Sequence, residues 1–198
     1  MAANTYLTSE ERTLLESARV GIAGAGGLGS NCAMHLVRAG VKHLTVVDFD
    51  VVNESNLNRQ FFFRDQIGKK KVEALKENLL RIEPDVDIKA VDLRLDTAST
   101  RSVFADCAIV VEAFDVVDAK AMILAALVGS GKKLVTASGL AGWGRSNAMK
   151  VRKMGNIVAI GDGETSVGDG AAPVSPRVGI AAAMQANSVI AMLLEKEL

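Results

Sequence analysis

The glycines of Gly24-Ala25-Gly26-Gly27-Leu28-Gly29 follow directly on the apolar run Val20-Gly21-Ile22-Ala23. About thirty residues later come Asp48-Phe49-Asp50 and Ser55-Asn56-Leu57-Asn58-Arg59-Gln60. The first stretch reads as a strand, a glycine turn and a helix N-terminus, an arrangement whose backbone N–H groups and helix dipole hold a phosphate. The second adds acids, amides and a guanidinium to the same cleft. The glycine turn alone implies a nucleotide. The two together imply a nucleotide whose phosphates take part in the chemistry.

Each residue type has a physical reason to be there. Gly24, Gly26 and Gly29 have the G-x-G-x-x-G spacing, and with Gly27 they let backbone approach phosphate oxygens and let helix and strand pack closely. The alternative for these glycines is a tight turn without a ligand. Asp48 closes the next strand, where an acid accepts hydrogen bonds from ribose hydroxyls, and Asp50 lies two residues on. Asn56, Asn58, Arg59 and Gln60 are rich in donors, yet Phe61-Phe62-Phe63 follows, so this loop is expected to dock against protein. Arg59 would then be held near the cleft, suited to forked contact with phosphate. Lys69, Lys70 and Lys71 are predicted to begin a helix, where cations oppose the macrodipole unless an anion relieves them. Lys71 is the one expected to reach phosphate, the other two being solvated. Asp115, in Glu112-Ala113-Phe114-Asp115, suits a magnesium ligand facing the nucleotide. His35 and His43 have no metal-ligand spacing and are read as structural or surface residues.

These residues need elements to place them. A short helix is predicted over Glu10 to Ala18 with Thr8 or Ser9 as N-cap, and a strand over Arg19 to Ala23. Helix Gly27 to Ala39 ends at Gly40, and strand Leu44 to Val47 ends in Asp48. Gly68 to Ile82 is predicted helical, with Val72, Leu75, Leu79 and Ile82 as its apolar stripe and Pro84 as its stop. A strand over Val86 to Val91, a helix over Thr97 to Phe104 capped by Thr97, and a strand over Cys107 to Val111 follow. A helix over Val116 to Val128, closed by Gly129, and a strand over Lys133 to Thr136 complete the alternation. That alternation predicts an α/β fold: a Rossmann-like, doubly wound, mostly parallel sheet with helices on both faces. Gly24, Asp48 and Asp115 then all fall at strand carboxyl ends, where such sheets bind ligands. After residue 137 the texture changes. Ala148 to Arg152 and Ile157 to Ile160 read as a small antiparallel extension, Gly161 to Pro173 as a glycine-rich loop, and Arg177 or Val178 to Leu194 as a closing helix. The chain reads as one domain over 1–198, with a nucleotide-binding core at 19–137.

Composition excludes several classes. Apolar residues make up 49% of the 198, which argues against disorder, and 23 basic residues balance 23 acidic ones. Zero net charge provides no field for nucleic acid or membrane headgroups. No apolar run reaches the ~18 residues needed to span a bilayer, and the polar start is not a signal peptide. The two cysteines, Cys32 and Cys107, form no C-x-x-C pair, so no zinc site is expected and a cytoplasmic compartment is the default. Both read as small buried apolar residues.

The combination of Gly-x-Gly-Gly-Leu-Gly-Ser-Asn, Asp48-Phe49-Asp50, Ser55-Asn56-Leu57-Asn58-Arg59-Gln60, Gly68-Lys69-Lys70-Lys71 and Glu112-Ala113-Phe114-Asp115 resembles the ThiF/MoeB/ubiquitin-activating superfamily. The match runs from Arg19 to Thr136. Beyond it, Ala172-Pro173, Pro176-Arg177-Val178-Gly179 and Ala183-Met184-Gln185-Ala186-Asn187 resemble a short ThiF-like branch. The Ser-Asn-Leu-Asn-Arg-Gln motif is highly specific, whereas the glycine motif is not.

The resemblance implies an enzyme that uses ATP and Mg2+ to adenylylate the C-terminal glycine carboxylate of a small ThiS-like sulfur carrier, releasing pyrophosphate, in thiamine biosynthesis. By motif position Asp48 resembles the ribose ligand, Arg59 and Lys71 the phosphate-binding pair, Asn56 the loop amide near the phosphates, and Asp115 the magnesium aspartate. A homodimer is also implied. The chain departs from the family at three points. The zinc-binding cysteine pairs are absent. Arg12 is the sole candidate for an arginine lent to a partner subunit. Val116 stands where Asn often follows the magnesium aspartate. No cysteine lies between Gly161 and Pro173, so no covalent thioester step is expected in this chain. Three other functions compete: an NAD-dependent oxidoreductase, activation of another carboxylate or a tRNA base, and a scaffold that keeps only nucleotide binding.

Overall fold

The computed structural model describes residues 6–166 and 170–198. Helix α1 (Ser9–Ser17) starts at a capping box in which the Thr8 hydroxyl accepts from the Glu11 N–H at 3.1 Å and Glu11 accepts from the Thr8 N–H at 3.0 Å. Strand β1 (Arg19–Ala23) leads into α2 (Gly27–Ala39), which Gly40 ends in the left-handed region. Then come β2 (His43–Asp48), α3 (Lys71–Ile82), β3 (Asp87–Asp92), α4 (Thr97–Val103), β4 (Ile109–Glu112), α5 (Val117–Leu127) and β5 (Lys133–Ala137). A hairpin, β6 (Lys150–Met154) with β7 (Ile157–Gly161), precedes the long α6 (Ser175–Leu193).

One seven-stranded sheet runs in the order β3-β2-β1-β4-β5-β7-β6. Every pairing is parallel except β6 with β7. The antiparallel pair expected near the C-terminus is therefore present, and it continues the main sheet because β7 pairs with β5. Strand order reverses between β1 and β4, so the connections leaving them diverge and open a crevice at their carboxyl ends. The part of the expected glycine-rich loop at 167–169 and the polar start at 1–5 lie outside the described residues.

Alternation along β1 divides the core between the two faces. Val20 and Ile22 join α2, α3 and α6 through Cys32, Leu36, Leu75, Leu79, Val178 and Val189. Ala23 faces the other side with Val47, Phe104, Val110, Ile123 and Leu127. Phe104 is seated on Gly21, where an added Cβ would lie 2.5 Å from its ring. The stripe predicted on α3 is the stripe that packs: Val72, Leu75 and Leu79 are fully buried and Ile82 partly so.

The start of α3 and the cap of α4 differ from expectation. Helix α3 begins at Lys71 rather than Gly68, because Gly68 sits at φ +88° and residues 68–70 pair with 51–52 instead. The Val52 N–H donates to the Lys69 carbonyl at 2.9 Å and the Gly68 N–H to the Val52 carbonyl at 2.8 Å. The cap of α4 is Asp96 rather than Thr97, its carboxylate accepting from the Ser99 N–H at 2.7 Å.

A buried ion pair fastens α6 to the sheet. Arg177 donates to the Asp162 carboxylate and, at 2.6 Å, to the Gly144 carbonyl. Asp162 also accepts from the N–H groups of Glu164 and Thr165 at 2.8 and 2.9 Å. Burial works to raise the Asp162 pKa, but the Thr165 and Glu164 donors and the Arg177 charge outweigh it, and the net shift is downward. A depressed pKa contributes stability that is complete above the unfolded value of about 3.9 and is lost as pH falls through the folded one.

Two predictions follow from this packing. Asp162→Asn is expected to lower stability at pH 7 by about 3–5 kcal/mol, because it leaves Arg177 buried without its counter-charge. Urea unfolding between pH 3 and 7 would also show a shallower acid loss in the variant than in the wild type. Cys32 and Cys107 are unpaired and buried. Burial pushes the Cys32 thiol up to about 12 and raises Cys107 as well. A thiol reagent at pH 8 should therefore label neither residue in the folded protein and both after denaturation. Labelling of either at the rate of a free thiol would contradict the packing.

Candidate functional site

The four glycines of the turn have different jobs. Gly24 lies at φ +101°, and a Cβ there would stand 2.9 Å from the Ala113 carbonyl oxygen. At Gly29 a Cβ would lie 1.8 Å from the Gly24 carbonyl oxygen, so no other residue lets α2 start this close to β1. At Gly27 it would meet Val178 at 2.9 Å and the Arg59 stem at 3.5 Å. Gly26 is the exception: a Cβ there would meet only the Gln60 amide nitrogen, at an ordinary 3.8 Å. Protein packing does not demand Gly26, whereas a ligand set against the backbone would.

Asp48 is built into the turn. Its carboxylate accepts from the Ala25 N–H at 2.7 Å and from the Asp50 N–H at 2.8 Å. It thereby fixes the end of β2 against the glycine turn, at the position expected for a ribose acceptor. Asp50 takes the Lys71 ammonium at 2.7 Å, and the Asp50 carbonyl accepts from the Lys71 N–H at 2.9 Å. Lys71 is buried and Asp50 half-exposed. The cations at the start of α3 are thus relieved by the chain's own acids. Lys69 and Lys70 are exposed to solvent, as expected, and in addition pair with Glu77 at 2.8 Å and with Asp92 at 3.1 Å.

The loop over 53–63 docks as its aromatic run implied. Phe62 is buried, and Phe61 packs against the main core. Two side chains of α2 hold the loop to the turn. The Ser30 hydroxyl donates to the Gly26 carbonyl at 2.6 Å and accepts from the Phe61 N–H at 3.0 Å. The Asn31 amide donates to the Gly27 and Arg59 carbonyls at 2.7 and 2.9 Å. Arg59 is consequently laid beside Gly27, its guanidinium donating to Asn58 Oδ1 at 2.7 Å and to the Ser55 carbonyl at 3.3 Å. Asn56 is turned inward to its own loop, accepting from the Asn53 N–H at 3.0 Å.

Asp115 follows β4 on the other side of the crevice. It is exposed and makes no hydrogen bond or ion pair among the described residues. The segment before it touches the turn, since Ala113 and Phe114 are the neighbours that a Cβ on Gly24 would meet. Arg59, Lys71 and Asp115 are therefore each linked to the glycine turn through one or two contacts. Arg59 reaches it through Gly27, Lys71 through Asp50 and Asp48, and Asp115 through Ala113. Arg12 stays within α1, its guanidinium 3.3 Å from Ser9.

An exposed carboxylate without a partner fits magnesium, which binds through one or two carboxylates and the substrate's own phosphates. Among the described residues no three or more His, Cys, Asp or Glu side chains cluster to form an all-protein metal site. A groove of about 320 Å³ at the amino ends of β1 to β3 lies at the opposite edge of the sheet. Its cations Arg19 and Lys89 are offset by Asp87 and Asp106.

Sequence reasoning assigned no role to Ser30, Asn31 or Glu112. Ser30 and Asn31 stand in the glycine motif, and their position on the first turn of α2 was the available signal. Glu112 was hidden inside an apolar run. It is fully buried beneath Asp115, bound to Lys120 and Thr136.

The fold and much of the sequence have known counterparts. Over 107 residues the chain is 40% identical to the molybdopterin-synthase adenylyltransferase of Salmonella typhimurium, covering 54% of this chain and 43% of that protein. Over 127 residues it is 39% identical to the adenylyltransferase and sulfurtransferase UBA4 of Eremothecium gossypii, covering 64% of this chain and 29% of that protein. The chain thus spans less than half the length of these relatives. In fold it is similar to the tRNA N6-threonylcarbamoyladenosine dehydratase TcdA of E. coli, solved with AMP. The TM-score is 0.86 at 21% identity, covering 94% of this chain and 90% of that one. The ThiF family pattern matches residues 3–198, and this chain belongs to the ThiF family.

Proposed function

We propose that this chain is an ATP-dependent adenylyltransferase acting on the C-terminal glycine carboxylate of a ThiS-like, ubiquitin-fold sulfur carrier, in the sulfur-transfer branch of thiamine biosynthesis. The observation that carries the reading is the gathering of Arg59, Lys71 and Asp115 around a glycine turn whose Gly26 is free of packing demands. Relatives named for adenylyl transfer support the activity, and the short ThiF-like motifs after residue 172 support the carrier.

In this reading the turn from Gly24 to Gly29, with the N-terminus of α2, cradles the phosphates, and Asp48 and Asp50 border the ribose. Asn56 and Asn58 shape the loop that delivers Arg59. The carrier's carboxylate attacks the α-phosphorus, a new C–O–P linkage forms, and the bond from the α-phosphorus to the bridging oxygen breaks. The electron pair leaves on pyrophosphate. Arg59, beside the helix N-terminus, meets the charge growing on the phosphates, and Lys71 can trade Asp50 for a phosphate oxygen. Bound magnesium would neutralise phosphate charge, with Asp115 as its protein ligand. No protein nucleophile is needed, and both thiols are buried. An NAD-dependent oxidoreductase would use the glycines and Asp48 but leave Arg59, Lys71 and Asp115 without a task.

A second reading has one observation in its favour. The likeness to TcdA extends over nearly the whole of both chains, so an acceptor carboxylate on a modified tRNA base is the competing substrate. Zero net charge weighs against it. A homodimer and a cytoplasmic setting belong to the favoured reading by family resemblance.

ATP–pyrophosphate exchange with magnesium tests the choice, with a ThiS-like carrier ending in Gly-Gly, with tRNA, and with neither. The carrier alone should support exchange. Arg59→Ala and Asp115→Ala should each reduce it by about 10²- to 10³-fold in a folded protein, the loss expected for a pre-organised charge at the reacting centre. Full exchange in both variants would sink the site assignment. Exchange with tRNA and none with the carrier would move the acceptor to the second reading.

A further inference from the structure

Strand β4 contains one residue that breaks its pattern. Ile109, Val110 and Val111 are apolar and buried, as in a central parallel strand, and Glu112 beside them is buried just as completely. Its register partner is Ala23, the last residue before the glycine turn. A carboxylate there costs several kcal/mol in desolvation that an apolar side chain would not, so it persists only with full compensation.

The compensation comes from three separate elements. Lys120, on α5, donates to both Glu112 oxygens at 3.0 and 2.9 Å and to the Ala137 carbonyl at 3.0 Å. Thr136, on β5, donates its hydroxyl to Oε2. The Phe114 N–H donates to Oε1 at 2.7 Å. The Glu112 carbonyl accepts from the Gln185 amide of α6 at 3.0 Å. The carboxylate thus reaches forward two residues to hold the backbone immediately before Asp115, while Lys120 and Thr136 hold the carboxylate. The Asp115 side chain itself makes no hydrogen bond or ion pair among the described residues.

We propose that Glu112, braced by Lys120 and Thr136, is a positioning residue that sets the turn presenting Asp115 to the nucleotide and its metal. The inference rests on the reading of Asp115 given above, and it adds a residue that touches neither ligand. It also accounts for Val116: a turn fixed from beneath does not need an amide side chain after the aspartate.

The test uses the full chain with ATP and no carrier. Mn2+ is titrated into the ATP complex and free Mn2+ is read by electron paramagnetic resonance. ATP binding is also measured in EDTA, and hydrogen exchange of the Phe114 amide is followed. Asp115→Asn, Glu112→Gln and Thr136→Val are compared with the wild type. Glu112→Gln should weaken Mn2+ binding by about 10- to 100-fold, the range for losing a support behind a metal ligand. It should also speed Phe114 exchange and leave ATP affinity in EDTA unchanged. Thr136→Val, nearly isosteric, should move the same readouts in the same direction by less, and it carries the test if Glu112→Gln does not fold. Weaker Mn2+ binding in Asp115→Asn alone would overturn the positioning role and leave the site reading intact. Unchanged Mn2+ binding in Asp115→Asn would overturn the reading of Asp115 itself. Equal losses with and without metal in Glu112→Gln would reduce Glu112 to a packing role and overturn the proposal.

Discussion

At Gly29 the Gly24 carbonyl packs so closely that no Cβ fits. Because of it, α2 begins immediately at the end of β1, with its N-terminus directed into the crevice between β1 and β4. The rest of the site hangs from that junction. Ser30 and Asn31 reach the Phe61 N–H and the Arg59 carbonyl of the 53–63 loop from this first turn of α2. Asp48 closes the junction from β2, and the Ala113 carbonyl closes it from β4.

Charge in this cleft is arranged in two registers. Asp50, Asp92 and Glu77 neutralise the lysines at the start of α3, so the chain is not dependent on a ligand to tolerate them. Lys71 is nevertheless the buried one, paired with a half-exposed carboxylate, an arrangement in which a competing phosphate can replace the acid. Behind the crevice, Asp162 and Arg177 form a pair buried on both sides, and a fully buried Glu112 meets a partly exposed Lys120. Both stand at the carboxyl edge of the sheet, one under the turn after β4 and one under the segment after β7. Such pairs contribute little net stability over apolar packing. Their value here is directional, since each carboxylate also holds backbone N–H groups in the loop that follows it.

Much of this was legible from local pattern. The strand and helix alternation, the Thr8 cap, the bounds of β1 and α2, and the stripe on α3 follow from periodicities of two and 3.6 residues and from cap chemistry. The start of α3 was misread because helix-favouring lysines at 69–71 follow a glycine that bends the chain into a bridge with 51–52. That bridge depends on a segment sixteen or more residues away, which no local window contains. Arg59 could be placed near the cleft from its aromatic neighbours. The two α2 side chains that hold its loop could not, because the loop groups they bind, the Arg59 carbonyl and the Phe61 N–H, are brought close only by tertiary folding.

The sequence by itself determined which elements form, in what order, and that a tight glycine turn closes the first strand. Those features are encoded in residues that meet within a few positions of one another. Only the tertiary structure decided the partners: Lys71 with Asp50, Arg59 beside Gly27, and Glu112 with Lys120 and Thr136. Such pairings depend on strand order and register across the sheet. The apolar positions that specify that order do so collectively, so no single side chain's sequence position reveals which distant charge it will meet.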